Sequence, residues 1–224
     1  MAQQELDRFF NQFKLKEYKK KETVLNAGQN PSGVFYIKRG YIRVYRLSEE
    51  GEELSLIILK PGDLFPVVWG ESNFLENCYF EALTTTAVYM APRELFMHFA
   101  QSNPEIYQEL TLLALGRLDG FLARIEYMVF GNAYTKVAST LLVCANRFGD
   151  KNGSDVVLQV PLTHKDIATL VGITRETTCL EMKKLEKKGL ISHRGRLLVV
   201  KDIAKLSEES LLDSGSQWRL GNSL

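Results

Sequence analysis

The apolar residues of this chain change their spacing at Pro104, from every second position to every third or fourth, and few architectures accommodate both halves. Upstream, the segments ETVLN, GVFYIKRG, YIRVYRL, ELSLIIL and FEALTTTAVYMA are rich in β-branched and aromatic residues. Turn sequences separate them at Ala27–Gly33, Arg39-Gly40, Glu49–Glu52 and Lys60–Asp63. Short strands so closely spaced predict an antiparallel β-roll of the double-stranded β-helix or jelly-roll type. Ahead of them, Leu6, Phe9, Phe10 and Phe13 fall at helical spacing and predict a short amphipathic helix from Ala2 to Phe13.

Downstream, Leu118, Phe121, Ile125 and Met128 follow a 3-4-3 spacing, extended upstream by Ala114, Thr111 and Tyr107, while Leu115, Leu122 and Val129 form an adjoining stripe. One helix of about 25 residues, roughly 38 Å long, would carry both. One face can cover the roll, and pairing with a second copy of the chain satisfies the other. Burial within one chain is the alternative, though a roll this small could hardly enclose the helix. Gly131-Asn132 interrupts the pattern, and Ala133 to Phe148 predicts a further amphipathic helix. Gly149–Ser154 has the composition of a turn and linker. The tail after Leu206 is small and polar apart from Leu211, Leu212 and Trp218, which predicts loose order.

The net charge of +1 conceals an asymmetry. Between Pro161 and Lys201 nine Lys and Arg stand against four Asp and Glu, leaving nineteen against twenty-three elsewhere. A basic module on a mildly acidic remainder points to a polyanion as partner of the C-terminal part alone or, more plainly, to a solvated basic face. No stretch approaches eighteen consecutive apolar residues and the N-terminus is charged, so a cytoplasmic protein without a membrane partner is expected. Cys78, Cys144 and Cys179 are far apart and form no CxxC pair, as befits free thiols. The predicted strands carry no His, and there is no P-loop, no GxSxG and no recognisable Cys/His pair. No enzymatic activity, metal or cofactor is expected.

Within the basic module, Thr163-His164-Lys165-Asp166 has the form of a helix N-cap, and Ile167, Ala168, Leu170 and Val171 supply an apolar face. Val171-Gly172-Ile173 reads as a tight turn. Thr174 then caps a second helix reaching Lys188, with Thr178, Met182 and Leu185 inward and Gly189 as its end. Two short helices across a Gly-containing turn make a helix-turn-helix. Its second helix would present Arg175 and Glu176 to the major groove, where a guanidinium can donate twice to guanine and a carboxylate can accept from cytosine. Thr163, His164, Thr174, Thr177, Lys183 and Arg196 are candidates to hold phosphates. Leu190 to Val200 reads as two strands around Arg194-Gly195-Arg196, a wing.

The run LTHKDIATLVGITRETTCLEMKKLEKKGLI, followed by that basic hairpin, resembles the DNA-binding helices of the CRP/FNR family of regulators. The glycine-punctuated roll, the KPGDLF segment and Asn103-Pro104 are similar too, so the resemblance covers nearly the whole chain. It implies an α+β fold: an N-terminal helix and β-roll sensor over 1–103, a dimerisation helix over 104–130, a winged helix-turn-helix over 131–206 and a tail over 207–224. It also implies a homodimer on a pseudo-palindromic double-stranded DNA site, paired through Ala114, Leu118, Phe121, Ile125 and Met128. RNA polymerase is a further implied partner, and effector control would act at a hinge near Gly131. Where members often carry a second Arg in the reading helix, this chain has Leu180, which can pack on a thymine methyl.

In cyclic-AMP-binding relatives a Gly-Glu-Leu sequence is followed by Arg-Ser, the Glu holding the ribose and the Arg the cyclic phosphate. Here Val67 falls at the Glu and Glu76 at the Arg, and no Arg lies between Arg46 and Arg93. Phe121-Leu122 stands where the adenine-contacting hydroxyl pair would be. These departures argue against cyclic AMP as effector. A more apolar pocket lined by Phe65, Val67, Trp69, Phe74, Glu76, Asn77, Tyr79 and Phe121, or a plain filled core, accounts for the same stretch. The alternative function is a regulator dependent on a cyclic nucleotide or another small ligand in a non-standard pocket. An Fe–S sensor would need four thiolates. Cys179 reads as a small residue beside the DNA backbone or, less simply, as a redox-active thiol.

Overall fold

The computed structural model describes residues 2–29, 31, 33–66 and 77–212. Two compact units meet within one long helix, between Leu115 and Gly116. The first contains α1 (Ala2–Phe10), β1 (Leu15–Tyr18), β2 (Thr23–Leu25), β3 (Gly33–Arg39), β4 (Ile42–Leu47), β5 (Glu53–Leu59), β6 (Leu64–Phe65), β7 (Tyr79–Ala82), β8 (Thr86–Pro92), α2 (Arg93–Ser102) and the start of α3 (Pro104–Phe130). Among the described residues its strands form two antiparallel four-stranded sheets, β1-β8-β3-β6 and β2-β7-β4-β5.

The strand patterning explains how the sheets close. In β3, Phe35 and Ile37 join an interior cluster with Val44, Leu59, Phe80 and Val88. Val34 and Tyr36 belong to a second cluster with Leu6, Phe10, Phe96 and Ile106, so α1, α2 and the start of α3 cover the other face. Phe10 stacks on Tyr36 at 4.9 Å, and the Tyr36 hydroxyl donates to Asp7 Oδ1 at 2.9 Å. In the interior, Phe65 stacks between Phe35 at 5.0 Å and Phe80 at 5.2 Å, bridging the two sheets.

Two local expectations need correction, and one strand falls where none was expected. FEALTTTAVYMA is two strands, because the chain bends after Ala82: the Leu83 N–H donates to the Tyr41 carbonyl at 2.8 Å, and the Thr86 hydroxyl reaches the Thr84 carbonyl at 3.0 Å. β1 arises from a highly charged stretch; it pairs with β8 as an edge strand and buries only Tyr18. α1 stops at Phe10, and Phe13 follows in a turn, its N–H on the Phe10 carbonyl at 3.0 Å.

The second unit holds the remainder of α3, then α4 (Ala133–Phe148), β9 (Gly149–Asn152), β10 (Asp155–Leu158), α5 (His164–Val171), α6 (Arg175–Lys187), β11 (Ile191–Arg194), β12 (Leu197–Val200) and α7 (Ile203–Glu208). Its sheet runs β11-β12-β10-β9. The Gly149–Ser154 stretch is therefore more than a linker. Val156 and Val157 pair with Val200 and Val199, and β9 folds back on β10 around Gly153 at φ 66°. The beginning of the tail is also packed: Leu212 is buried, and the Leu211 N–H donates to the buried Ser139 Oγ at 3.1 Å. Trp218, with the rest of the tail from residue 213, lies outside the described residues.

Candidate nucleic-acid interface

Both helices of the reading pair start on a threonine. At α5, Thr163 Oγ1 accepts the Asp166 N–H at 3.2 Å, and Asp166 Oδ2 accepts the Thr163 N–H at 2.8 Å, closing a capping box. At α6, Thr174 Oγ1 accepts the Thr177 N–H at 3.1 Å. Between them Gly172 sits in the left-handed region at φ 72°, where its N–H and that of Ile173 both reach the Ala168 carbonyl, at 2.8 and 3.2 Å. Thr178, Met182 and Leu185 are buried and fix which side of α6 faces the protein. Arg175 and Glu176, the first two residues of α6, are exposed. So is Leu180, one turn beyond Glu176 and 60% exposed although apolar.

Of the residues expected to hold phosphates, Thr174, Lys183 and Arg196 are exposed, and His164 and Thr177 are half-buried. The Thr174 and Thr177 hydroxyls lie 2.8 Å apart, which leaves one proton of the pair for an outside acceptor. Thr163 is different. Its hydroxyl also donates to Asp166 Oδ2, at 2.6 Å, so both its donors are engaged in the cap. The wing closes at Gly195, φ 62°. His193 on β11 places Nδ1 3.1 Å from Glu186 Oε1 of α6, and its ring lies 6.5 Å from that of His164. The start of α5, the end of α6 and the wing thus converge.

On α3, Leu115, Leu118, Phe121, Leu122, Ile125 and Val129 are all exposed, and Ala114 with them, while Met128 is half-buried. Both predicted stripes form one broad apolar face. The residues that α3 buries lie elsewhere: Ile106 in the first unit, Ala123 and Tyr127 in the second. Beside them, Arg124 donates to the Leu170 carbonyl of α5 at 2.6 Å, and Thr140 of α4 lies 3.5 Å from the Tyr127 hydroxyl. Burial draws the Arg124 guanidinium below its ordinary pKa and pushes the Tyr127 phenol above its own. This inward face went unnoticed in the sequence; its only signal is the Ala123-Tyr127 pair at i, i+4.

Two family models match the chain, a cyclic nucleotide-binding domain over residues 15–103 and a Crp-like helix-turn-helix domain over residues 135–209. The chain belongs to the CRP/FNR family. The CRP of Haemophilus influenzae, described as a cAMP-activated global transcriptional regulator, is 27% identical over 200 residues, 87% of each chain. A CooA mutant from Carboxydothermus hydrogenoformans matches 90% of this chain and 89% of its own at a TM-score of 0.74 and 26% identity. FixK2 from Bradyrhizobium japonicum shares the fold at a TM-score of 0.78 and 21% identity, over 90% of this chain and 99% of its own.

Four of the predicted pocket residues of this CRP/FNR regulator are among the described residues. Phe65 is part of the stacked interior, Tyr79 stacks on Tyr45 at 5.2 Å, Asn77 is exposed, and Phe121 belongs to the second unit. Val67, Trp69, Phe74 and Glu76 lie outside the described residues. Cys78 and Cys144 are buried free thiols; burial raises both, Cys144 to about 12, so neither is a ready nucleophile. Cys179 is half-buried on α6. Among the described residues no group of three or more His, Cys, Asp or Glu is placed to hold a metal, and no helix is long and apolar enough to cross a membrane.

Proposed function

We propose that this regulator reads a pseudo-palindromic DNA site as a homodimer in the cytoplasm and does not respond to cyclic AMP. The observation that carries the DNA reading is the exposed pair Arg175 and Glu176 at the capped start of α6, with Leu180 on the Glu176 side. In a helix-turn-helix the first turn of the second helix meets base edges, so Arg175 donates to guanine, Glu176 accepts from cytosine and Leu180 meets a thymine methyl. His164, Thr174, Thr177, Lys183 and Arg196 hold phosphates and set the register.

The exposed face of α3 supports the homodimer. Six large apolar side chains in a row would be costly to leave in water, and a second copy of the same face buries them symmetrically. Two reading helices then stand about 34–36 Å apart, one turn of DNA. A Leu118→Asp/Ile125→Asp variant should sediment as a monomer and lose two-half-site binding; a variant that stays dimeric would place the interface elsewhere. The absence of any Arg from residue 47 to residue 92, together with Phe65 stacked inside the roll between Phe35 and Phe80, supports independence from cyclic AMP. Affinity for a selected site should be the same with and without cyclic AMP, whereas a gain of roughly fivefold or more would show the coupling expected of an effector.

A further inference from the structure

We propose that Arg124 is a positioning residue that locks the direction of the reading helix to the dimer helix. This rests on α6 reading DNA in a symmetric pair. The location of its hydrogen bond is the reason. A helix leaves its last four carbonyls without partners inside the helix, and at α5 these are Ala168 to Val171. Ala168 is satisfied by the N–H groups of Gly172 and Ile173, which form the turn. Leu170 receives the Arg124 guanidinium at 2.6 Å from a different element, two residues before the left-handed glycine that sends the chain into α6. A cation at a helix C-terminus also meets the negative end of the helix dipole.

Arg124 is also flanked by groups with opposite duties. Ile125, Leu122 and Phe121 are on the exposed apolar face, while Ala123 and Tyr127 are buried among the second unit's own residues. One stretch of α3 thus carries both the face offered to a second copy and the contact to α5. The junction with α4 gives little room for a pivot between them. The Gly131 N–H donates to the Tyr127 carbonyl at 3.0 Å, and Asn132 caps α4 by accepting the Thr135 N–H at 3.0 Å. Residues 123–130 and the reading pair therefore move together, and Arg124 sets the angle between the dimer axis and α6. Gly131, near which the sequence suggested a hinge, lies inside the second unit.

The test uses the full-length dimer and a set of duplexes in which the selected half-sites are separated by the preferred spacing or by one base pair more or fewer. Each step shifts a half-site by about a tenth of a turn. Wild type should favour one spacing by roughly tenfold or more, and Arg124→Met should bring that preference close to unity while affinity for a single half-site and the dimeric state are unchanged. Arg124→Lys, which keeps one donor and the charge, should restore part of the preference, and it serves alone if the Met variant fails to fold. A uniform loss at every spacing, or a preference equal to that of wild type, would reduce Arg124 to a packing residue. If wild type enriches no symmetric motif, the DNA reading itself fails, and the proposal with it.

Discussion

The winged head and the β-roll use their distinctive side chains in opposite ways. In the head, Arg175, Glu176, Leu180, Lys183 and Arg196 stand in solvent while Thr174 caps their helix and Thr178, Met182 and Leu185 are buried beneath it. In the roll, the aromatic residues that make it unusual are inside, Phe65 wedged between Phe35 and Phe80. A surface of that kind is made to meet a polyanion; stacked rings of this kind stabilise the roll through their packing. The charge follows the same division, nine cations to four anions from Pro161 to Lys201 and an acidic excess elsewhere.

Substitutions in each region should separate the two roles. The largest effect is expected from Phe65→Ala, which removes the ring bridging both sheets and should cost about 3–5 kcal/mol in urea unfolding of the roll. Affinity for a single half-site should not change, and a parallel loss would show that the roll's packing governs the head. Arg175→Ala should do the reverse, leaving stability alone and costing about 1–3 kcal/mol of discrimination at one base pair. Lys183→Ala should instead weaken all duplexes alike and lower the salt slope by about one. If Arg175→Ala also acts uniformly, it is a phosphate contact.

Smaller effects test the supporting structure. Thr163→Ala should remove the α5 capping box and about 1 kcal/mol of head stability, with base preference intact. A changed phosphate footprint at that point would return Thr163 to the contact surface. The smallest concerns pH. The hydrogen bond from Lys188 Nζ, 2.7 Å from Glu209 Oε1, holds the Glu209 carboxyl below its ordinary 4.5. That contribution is complete above the unfolded value and disappears as pH falls through the lowered folded one. Glu209→Gln should therefore flatten the acid limb of head unfolding below about pH 4.5, and an unchanged limb would deny the pair any role.

What the sequence disclosed follows from how local each cause is. Thr163, Asp166, Gly172 and Thr174 act within a few residues of themselves, so the reading pair is visible in the chain, as is the 27-residue α3 from its periodicity. β1 and β9 were not, since Leu-Lys-Glu-Tyr and Gly-Asp-Lys-Asn carry little strand propensity and become strands only through pairing with β8 and β10. Arg124 was missed for the same reason: its partner, Leu170, is 46 residues away. Leu211 and Leu212 look like tail residues until Ser139 and the buried side of α4 are beside them.

Selection of bound duplexes from a random pool, by full-length protein at a stated salt concentration and without any added ligand, tests the central claim most directly. The account predicts a two-fold symmetric motif with half-sites one helical turn apart and a GC-containing core under Arg175 and Glu176. Failure of the folded, dimeric protein to enrich a motif until cyclic AMP is added would contradict it.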